Sequence, residues 1–200
     1  MAPPSGLGSS VSANTASLAP WPLFFDTHPA AHAAYSLRKL SSTYTGICCR
    51  IRRYDDADGS NEADLHFDSR GTISLNSPVD NFSAASSAIN LGEWTTVEAA
   101  GVGAAVVTWK DQSGNGRDVT NATSAEQPIL VHGGALKTEN GRVALDFSTD
   151  FLKHSDASSY AQPNTFMLVI QSDATSDVRW VLDGDGSGGG SVDRNAIGHV

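Results

Sequence analysis

The chain has 200 residues and a formal net charge of −9 at pH 7, from 13 Lys and Arg against 22 Asp and Glu. A chain of this length buries about 70% of its unfolded surface on folding, so it needs neither a disulfide nor a metal to fold. Its acidic surface repels phosphate, which disfavours a nucleic-acid partner. No apolar run reaches the about 18 residues of a membrane span, so no membrane-spanning segment is expected.

Residues 1–27 are predicted to form an extended arm, because prolines at positions 3, 4, 20 and 22 interrupt any helical or strand period. Four side chains near its end are too apolar for a freely solvated tail: Trp21, Leu23, Phe24 and Phe25. We expect them to dock on the chain's own domain or on a neighbouring subunit. The alternative is a partly disordered leader.

One substantial helix is predicted over residues 28–41. Ala33, Leu37, Leu40 and Tyr44 recur there at steps of three and four residues, which is the period of an amphipathic helix. No other segment of the chain shows this period as clearly.

From residue 47 onward several segments alternate apolar and polar residues, as half-buried strands do, and residues 166–170 form a continuous apolar run of the length of a core strand. Strands are predicted at residues 47–53, 65–67, 73–75, 102–109, 128–131, 142–148, 166–170 and 178–182. Residues 91–97 fit either a short helix or a strand. Short strands separated by turns predict an all-β, antiparallel β-sandwich rather than an α/β fold.

The first predicted strand carries two unusual features. Cys48 and Cys49 are adjacent, and a disulfide between neighbours would close a strained ring, so two free thiols are expected on opposite faces. The chain's basic cluster follows at positions 50, 52 and 53, with aspartates at 55, 56 and 58 close behind. Local charge pairing is therefore expected there rather than a track for phosphates.

Three segments carry a family resemblance: Ala34 to Arg53, Val107 to Pro128, and Asn140 to Leu152. In this order and spacing they resemble the concanavalin A-like (LamG-type) domains of bacteriophage virion proteins. They are more distantly similar to the catalytic domain of fungal α-L-arabinofuranosidase B. The most specific part is the string Asp-Gln-Ser-Gly-Asn-Gly at residues 111–116. The resemblance covers about residues 34–185 and implies a jelly-roll β-sandwich.

The string at residues 111–116 is interpreted first as a rigid turn. Gly114 and Gly116 permit positive φ, which allows the chain to reverse tightly. Asp111 and Ser113 are able to accept hydrogen bonds from backbone amides within the turn. In this interpretation the polar side chains serve the architecture of the sandwich.

A functional interpretation of the same turn stays open. Trp109, Asp111 and Asn115 would contact a sugar, since lectin-like sandwiches present Asp, Asn and an aromatic residue on their loops. Asp111, Asn115 and Asp118 would instead hold calcium, which prefers oxygen ligands. Calcium is the only cofactor that the sequence suggests, and the turn lacks the alternating acids of a helix-loop-helix calcium loop.

The sequence does not predict an enzyme. Glycoside hydrolysis needs two carboxyl groups, one of them with a raised pKa, and the five glutamates lie in polar or turn-rich segments. No motif matches the segment that carries the arabinofuranosidase's catalytic carboxylates. His28 and His32 have helical zinc-ligand spacing but no third ligand.

The resemblance therefore implies a non-enzymatic structural protein of a bacteriophage virion: a tail fibre, a spike or a capsid-decorating protein. The arm of residues 1–27 would attach to other virion proteins, and the domain of residues 28–200 would face outward. We expect a homo-oligomer, with a trimer as one option. No secretory signal is visible, so the protein would be made in the host cytoplasm and located in the virion.

The sequence supports two further expectations. The alternative function is a carbohydrate-binding module that contacts a host surface glycan. A last strand is predicted to begin at residues 196–198, so the sandwich is expected to be completed beyond Val200 or by a partner chain.

Overall fold

The computed structural model describes residues 22–28, 31–53, 61–83, 86–96, 103–154, 165, 167–171, 179–182 and 197–199. The chain divides into two compact units, residues 1–157 and residues 158–200. The described part is mostly antiparallel β-sheet with two short helices, which confirms the expected all-β class. Within it, no helix is both long enough and apolar enough to cross a membrane. Most of the predicted arm lies outside the described residues, so its boundary at residue 27 stays a prediction. Its described end is not extended as predicted, because Phe24–Thr27 form one helical turn.

The helices and strands are short. The helices are α1 (Phe24–Thr27) and α2 (Leu91–Thr96), and a 3₁₀ turn covers Ser124–Glu126. The strands of the first unit are β1 (Cys49–Arg53), β2 (Glu62–Leu65), β3 (Val79–Asp80), β4 (Gly103–Trp109), β5 (Val119–Thr120), β6 (Ile129–His132), β7 (Ala135–Leu136), β8 (Thr138–Glu139) and β9 (Arg142–Val143). The second unit contains β10 (Arg179–Leu182) and β11 (Ile197–His199).

The main sheet has seven strands in the order β3-β2-β1-β4-β6-β7, with β5 also paired to β4. All its pairs are antiparallel. The longest strand, β4, pairs with β1 along one edge, while β6 and β5 share its other edge. This division places the end of β4, and the turn that follows it, beside β5.

The core of the first unit forms where β1, β2 and β4 meet. Ile51 of β1 lies opposite Ala63 of β2 and Val106 of β4, and all three are fully buried. Burying a side chain of the size of Ile or Val contributes about 1.5–3 kcal/mol. The buried apolar cluster comprises Leu37, Cys48, Cys49, Ile51, Ala63, Leu65, Ile73, Val79, Ala88, Leu91, Trp94, Ala104, Val106, Leu130 and Val131.

The first strand confirms the expectation of free thiols and corrects that of an exposed face. Cys48 and Cys49 are both reduced and fully buried. Arg52 and Arg53 are also buried, at 3% and 7% exposure, so β1 is covered on both faces. Burial is tolerated at Arg52 because its guanidinium donates hydrogen bonds to Gln127 Oε1 and to two backbone carbonyls.

The neighbouring arginine has its acidic partners on β2. Arg50 pairs with Glu62 and Asp64 at 3.0 Å each, and it also donates to the carbonyl of Asn81. The aspartates at 55, 56 and 58 lie outside the described residues, so their predicted pairing stays a prediction. The contacts of Arg50 serve the sheet rather than a phosphate ligand.

The helix predicted over residues 28–41 is wrong. Helix α1 ends at Thr27, and residues 31–41 form no helix. Their backbone groups bond elsewhere: Lys39 N donates to the carbonyl of Gly71, Leu40 N donates to Gln112, and Arg38 forms a bridge with Thr72. The apolar period still marks buried positions, since Leu37 belongs to the core.

The strand predictions succeed best at segments that pair within the main sheet. Those over 47–53, 102–109 and 128–131 are confirmed with small shifts at the ends. The strand expected at 65–67 lies at 62–65, and residues 73–75 lead into a turn instead of a strand. Residues 91–97 were open to two interpretations, and α2 shows that the helix is the right one.

Toward the chain end two predictions are corrected. The strand expected over 142–148 covers only Arg142–Val143, with one further bridge between Ile129 and Asp146. Residues 167–170 of the expected core strand form no strand and are 46–103% exposed. The strands predicted around residues 180 and 197 are confirmed as the antiparallel pair β10 and β11.

Candidate functional site

Residues 110–118, here called the corner, connect β4 to β5 and contain the most distinctive string of the sequence. Gly114 and Gly116 have φ values of +87° and +70°, as expected for a tight reversal. A Cβ added at either glycine would meet nothing within 4 Å. Glycine is therefore required at both positions by the backbone conformation and not by crowding.

Asp111 organises the corner through its carboxylate. Oδ1 accepts hydrogen bonds from Ala34 N at 2.9 Å and from Ser113 N at 2.8 Å. Oδ2 accepts from Ser113 Oγ at 2.7 Å and from Arg117 N at 3.0 Å. The residue is only 6% exposed. Burial raises the pKa of Asp111, but these hydrogen bonds outweigh it, so the pKa lies below its ordinary value.

Gln112 attaches the corner to residues 31–40, here called the 31–40 segment. Its side chain is buried, and Nε2 donates to the carbonyls of Ser36 at 2.9 Å and Arg38 at 3.1 Å. Oε1 accepts from Leu40 N at 2.9 Å, while the backbone Gln112 N donates to the carbonyl of Ala34. One side-chain amide thus satisfies three backbone groups that a helix would otherwise have paired internally.

The far end of the corner holds the beginning of the same segment. Asn115 Nδ2 donates to the carbonyls of Ala31 at 3.0 Å and His32 at 2.9 Å. The hydroxyl of Tyr35 donates to the carbonyl of Arg117. The corner and the 31–40 segment are separated by about 70 residues in the sequence and are joined by hydrogen bonds along their whole length.

The three predicted sugar contacts lie close together but are engaged within the chain. Trp109 is partly buried, and the centroid of its indole ring lies 5.9 Å from the centroid of the Tyr35 ring. Trp109 Nε1 is buried and has no hydrogen-bond partner within the described part of the structure. Asp111 uses both carboxylate oxygens in the corner, and Asn115 points its amide group at the 31–40 segment.

The predicted calcium ligands are also brought together by the fold. Asp118 Oδ1 accepts from Asp111 N at 2.9 Å, and its Oδ2 pairs with Lys110 Nζ at 2.6 Å. A calcium ion at these residues would have to displace N–H donors from both carboxylates. No group of three or more His, Cys, Asp or Glu side chains suited to a metal occurs among the described residues. The calcium site stays a prediction. The hydrogen bonds that Asp111, Gln112 and Asn115 make to the 31–40 segment are here called the clamp.

Three of the four predicted docking residues lie in or beside α1, and Trp21 lies outside the described residues. Phe24 is 44% exposed, packs edge-to-face on Phe25 at 5.3 Å and stacks on His28 at 5.2 Å. Leu23 and Phe25 are partly buried.

An acidic side chain attaches α1 to the rest of the first unit. The carboxylate of Asp26 accepts hydrogen bonds from Leu23 N, Ser42 N and the hydroxyl of Ser41. The bond from Ser42 N and further hydrogen bonds lower the pKa of Asp26. These hydrogen bonds therefore hold α1, and with it the rings of Phe24 and Phe25, beside residues 41 and 42.

Sequence reasoning missed a small open cleft of about 140 Å³. Its lining residues are Lys39, Tyr44, Thr45, Gly46, His66, Phe67 and Asp68. Lys39 has no ion-pair partner in the described part of the chain, and the rings of Tyr44 and Phe67 lie edge-to-face at 6.2 Å. Burial raises the pKa of Tyr44 to about 12, so its hydroxyl stays protonated and donates to the carbonyl of Ile47.

No local sequence signal could have revealed this cleft, because three separate segments assemble it. Gly46 contributes by its missing side chain: a Cβ there would lie 2.5 Å from the Tyr44 hydroxyl. Gln112, the residue that attaches the corner to the 31–40 segment, was part of the recognised string but carried no predicted role.

Comparison with known proteins gave no match. No protein-family model matches the chain, and searches of curated proteins and of solved structures found no significant similarity. Function must therefore be argued from the residues themselves and from the resemblance of their motifs.

Proposed function

We propose that this chain is a non-enzymatic structural protein of a bacteriophage virion, of the tail-fibre, spike or capsid-decorating class. It would attach to other virion proteins through residues 1–27 and display a concanavalin A-like β-sandwich outward. Copies would assemble as a homo-oligomer. The described antiparallel sheet is compatible with such a domain at the level of fold class.

The clamp between the corner and the 31–40 segment is the observation that carries this proposal. Asp111, Gln112 and Asn115 bond the chain itself, as expected where polar side chains build a scaffold. A catalytic or metal site would need at least some of these groups available to a ligand. The clamp also joins two of the three segments that resemble virion domains, so those segments act as one structural unit.

Attachment through the arm is tested on purified particles. Deleting residues 1–25 is expected to abolish incorporation of the protein into the virion, quantified by mass spectrometry of the particles. Unchanged incorporation would contradict the docking role. Imaging of the same particles at low resolution would locate the protein and count its copies.

A finer test separates the aromatic anchor from general surface effects. Phe24 and Phe147 are both 44% exposed, so they lose similar surface on truncation. Phe24→Ala is expected to reduce incorporation, whereas Phe147→Ala is expected to leave it unchanged. Equal behaviour of the two variants would show that α1 has no special part in attachment.

Glycan binding is a second candidate function, and the cleft is the observation that favours it. The cleft combines the partly buried ring of Phe67 with the ammonium group of Lys39, an aromatic face and a polar donor that a sugar would use. The other charged groups of the lining are engaged within the chain, since His66 pairs with Asp80 and Asp68 accepts from the backbone N–H of residues 70 and 72. A glycan array with the intact chain would test it, with Lys39→Gln compared against Lys153→Gln outside the cleft. Binding lost only in the first variant supports the cleft, and an array without binding rejects this function.

A further inference from the structure

The corner contains an asparagine, Asn115, followed directly by a glycine, Gly116. The side chain of Asn115 bonds the corner to the 31–40 segment. Asn115 and Gly116 are both exposed. The amide nitrogen of Asn115 donates to the carbonyls of Ala31 and His32 and contacts Ser113 Oγ at 3.1 Å. We propose that Asn115 is a site of spontaneous deamidation, and that its conversion releases the start of the 31–40 segment from the corner.

The reaction needs only water. The backbone nitrogen of Gly116 attacks Cγ of Asn115, forming a new C–N bond and closing a five-membered succinimide ring. The bond from Cγ to Nδ2 breaks, and ammonia leaves with the proton that Gly116 N loses. Water then opens the ring at one of its two carbonyl carbons, giving aspartate or isoaspartate at position 115. No electrons are transferred, and no cofactor takes part.

The structure favours attack at this position for two reasons. Gly116 has no side chain to shield its nitrogen, and a Cβ there would meet nothing within 4 Å. Its backbone N–H donates no hydrogen bond to any described residue. The nucleophile is therefore sterically open and is not engaged in the backbone bonding of the corner.

The product would break the contact that Asn115 makes. The donors on Nδ2 are replaced by a carboxylate oxygen that faces the carbonyl oxygens of Ala31 and His32, now 2.9–3.0 Å from the nitrogen. Oxygen then faces oxygen, with a negative charge added, so the attraction becomes repulsion. Asp111 and Gln112 would still hold Ala34, Ser36 and the residues after them, so the release is local.

The chain offers a matched control at a second Asn-Gly pair. Asn140 and Gly141 form the turn between β8 and β9, with φ values of +49° and +73°. Both residues are exposed. Deamidation there would add the same charge without touching the 31–40 segment. Comparison of the two sites therefore separates the effect of charge from the loss of the specific contact.

The first experiment detects the chemistry. The intact chain is incubated in mildly alkaline heavy-oxygen water and mapped by peptide mass spectrometry. We expect the peptide that contains position 115 to incorporate one solvent oxygen, and Asn115→Gln to abolish this labelling, because glutamine cannot close the five-membered ring. An unlabelled 115 peptide would overturn the proposal, whether or not the peptide containing position 140 is labelled.

The second experiment measures the structural consequence by hydrogen exchange. Asn115→Asp is expected to speed exchange in the peptide covering residues 31–35 by about tenfold, the effect of losing one or two hydrogen bonds. Asn140→Asp is expected to leave that peptide unchanged. Equal exchange in the two variants would overturn the release. Thermal unfolding of both variants confirms that each is folded, so a local change is distinguished from a global one.

Discussion

At the scale of single residues, the carboxylate of Asp111 is the most connected polar group of the corner. It accepts four hydrogen bonds, three from backbone N–H groups and one from a hydroxyl. Removing it leaves donors without an acceptor in a nearly buried site, which costs about 1–3 kcal/mol for each group that water cannot reach. Its contribution is therefore larger than that of an ordinary surface carboxylate.

We expect Asp111→Ala to lower the free energy of unfolding by about 3 kcal/mol, measured by urea denaturation. The comparison variant is Asp118→Ala, which removes two hydrogen bonds from a side chain that is 33% exposed. Its expected cost is about 1 kcal/mol, because water replaces the lost partners. A loss at Asp111 no larger than that at Asp118 would show that the corner does not depend on the buried carboxylate.

The pH dependence of stability follows from the same residue. Hydrogen bonds hold the pKa of folded Asp111 below its ordinary value of about 3.9. A lowered folded-state pKa contributes stability above the unfolded pKa, and this contribution is lost as the pH falls through the folded value. Unfolding free energy should therefore decrease as the pH falls below about 4, and the decrease should be shallower in Asp111→Asn. Identical pH profiles for the two proteins would contradict the assignment.

At the scale of elements, the backbone groups of the 31–40 segment find hydrogen-bond partners on a side chain distant in the sequence instead of within a helix. Its apolar period is helical, yet Gln112 and Gly71 supply the partners of its backbone groups. A period in the sequence reports which residues are buried, and it does not report which partner the backbone will take. Strand β4 was predictable because its β-branched and aromatic side chains favour a strand, and β1 because its sequence alternates, although the structure buries both of its faces. Both strands lie within the main sheet.

The internal structure of the corner could be predicted from the sequence, whereas its contacts with distant segments could not. The positive φ of Gly114 and Gly116 and the internal bonds of Asp111 follow from local residue chemistry. The attachment to residues 31–40 does not, because it joins segments about 70 residues apart in the chain. For the same reason the cleft around Tyr44 and Phe67 could not be found from the sequence.

We expect Gln112→Glu to disrupt the 31–40 segment selectively. The substitution places a carboxylate oxygen where Nε2 now donates to the carbonyls of Ser36 and Arg38. A buried charge facing two acceptors costs about 3 kcal/mol or more unless the segment moves away. Hydrogen exchange of residues 35–41 should accelerate, whereas Gln171→Glu, at an exposed position, should have no effect. Unchanged protection would show that Gln112 does not hold the segment.

At the scale of the whole molecule, the apolar cluster of the described residues lies within the first unit. Every residue of the apolar cluster lies between Leu37 and Val131, and Leu145 and Leu152 pack against it. Asn121 ties the end of this unit together by donating to the carbonyls of Glu126 and Phe151. The first unit, residues 1–157, therefore contains the hydrophobic and polar contacts that a cooperative fold requires.

A fragment of residues 1–157 is accordingly expected to fold on its own. Its Tm should lie within about 4 °C of that of the intact chain, a difference equivalent to about 1 kcal/mol. A fragment of residues 1–140 is the informative contrast, because it lacks β9, the bridge from Asp146 to Ile129 and the Phe151 carbonyl that Asn121 binds. This shorter fragment should unfold at a clearly lower temperature by calorimetry. Loss of a cooperative transition in the 1–157 fragment would show that the first unit does not fold independently of residues 158–200.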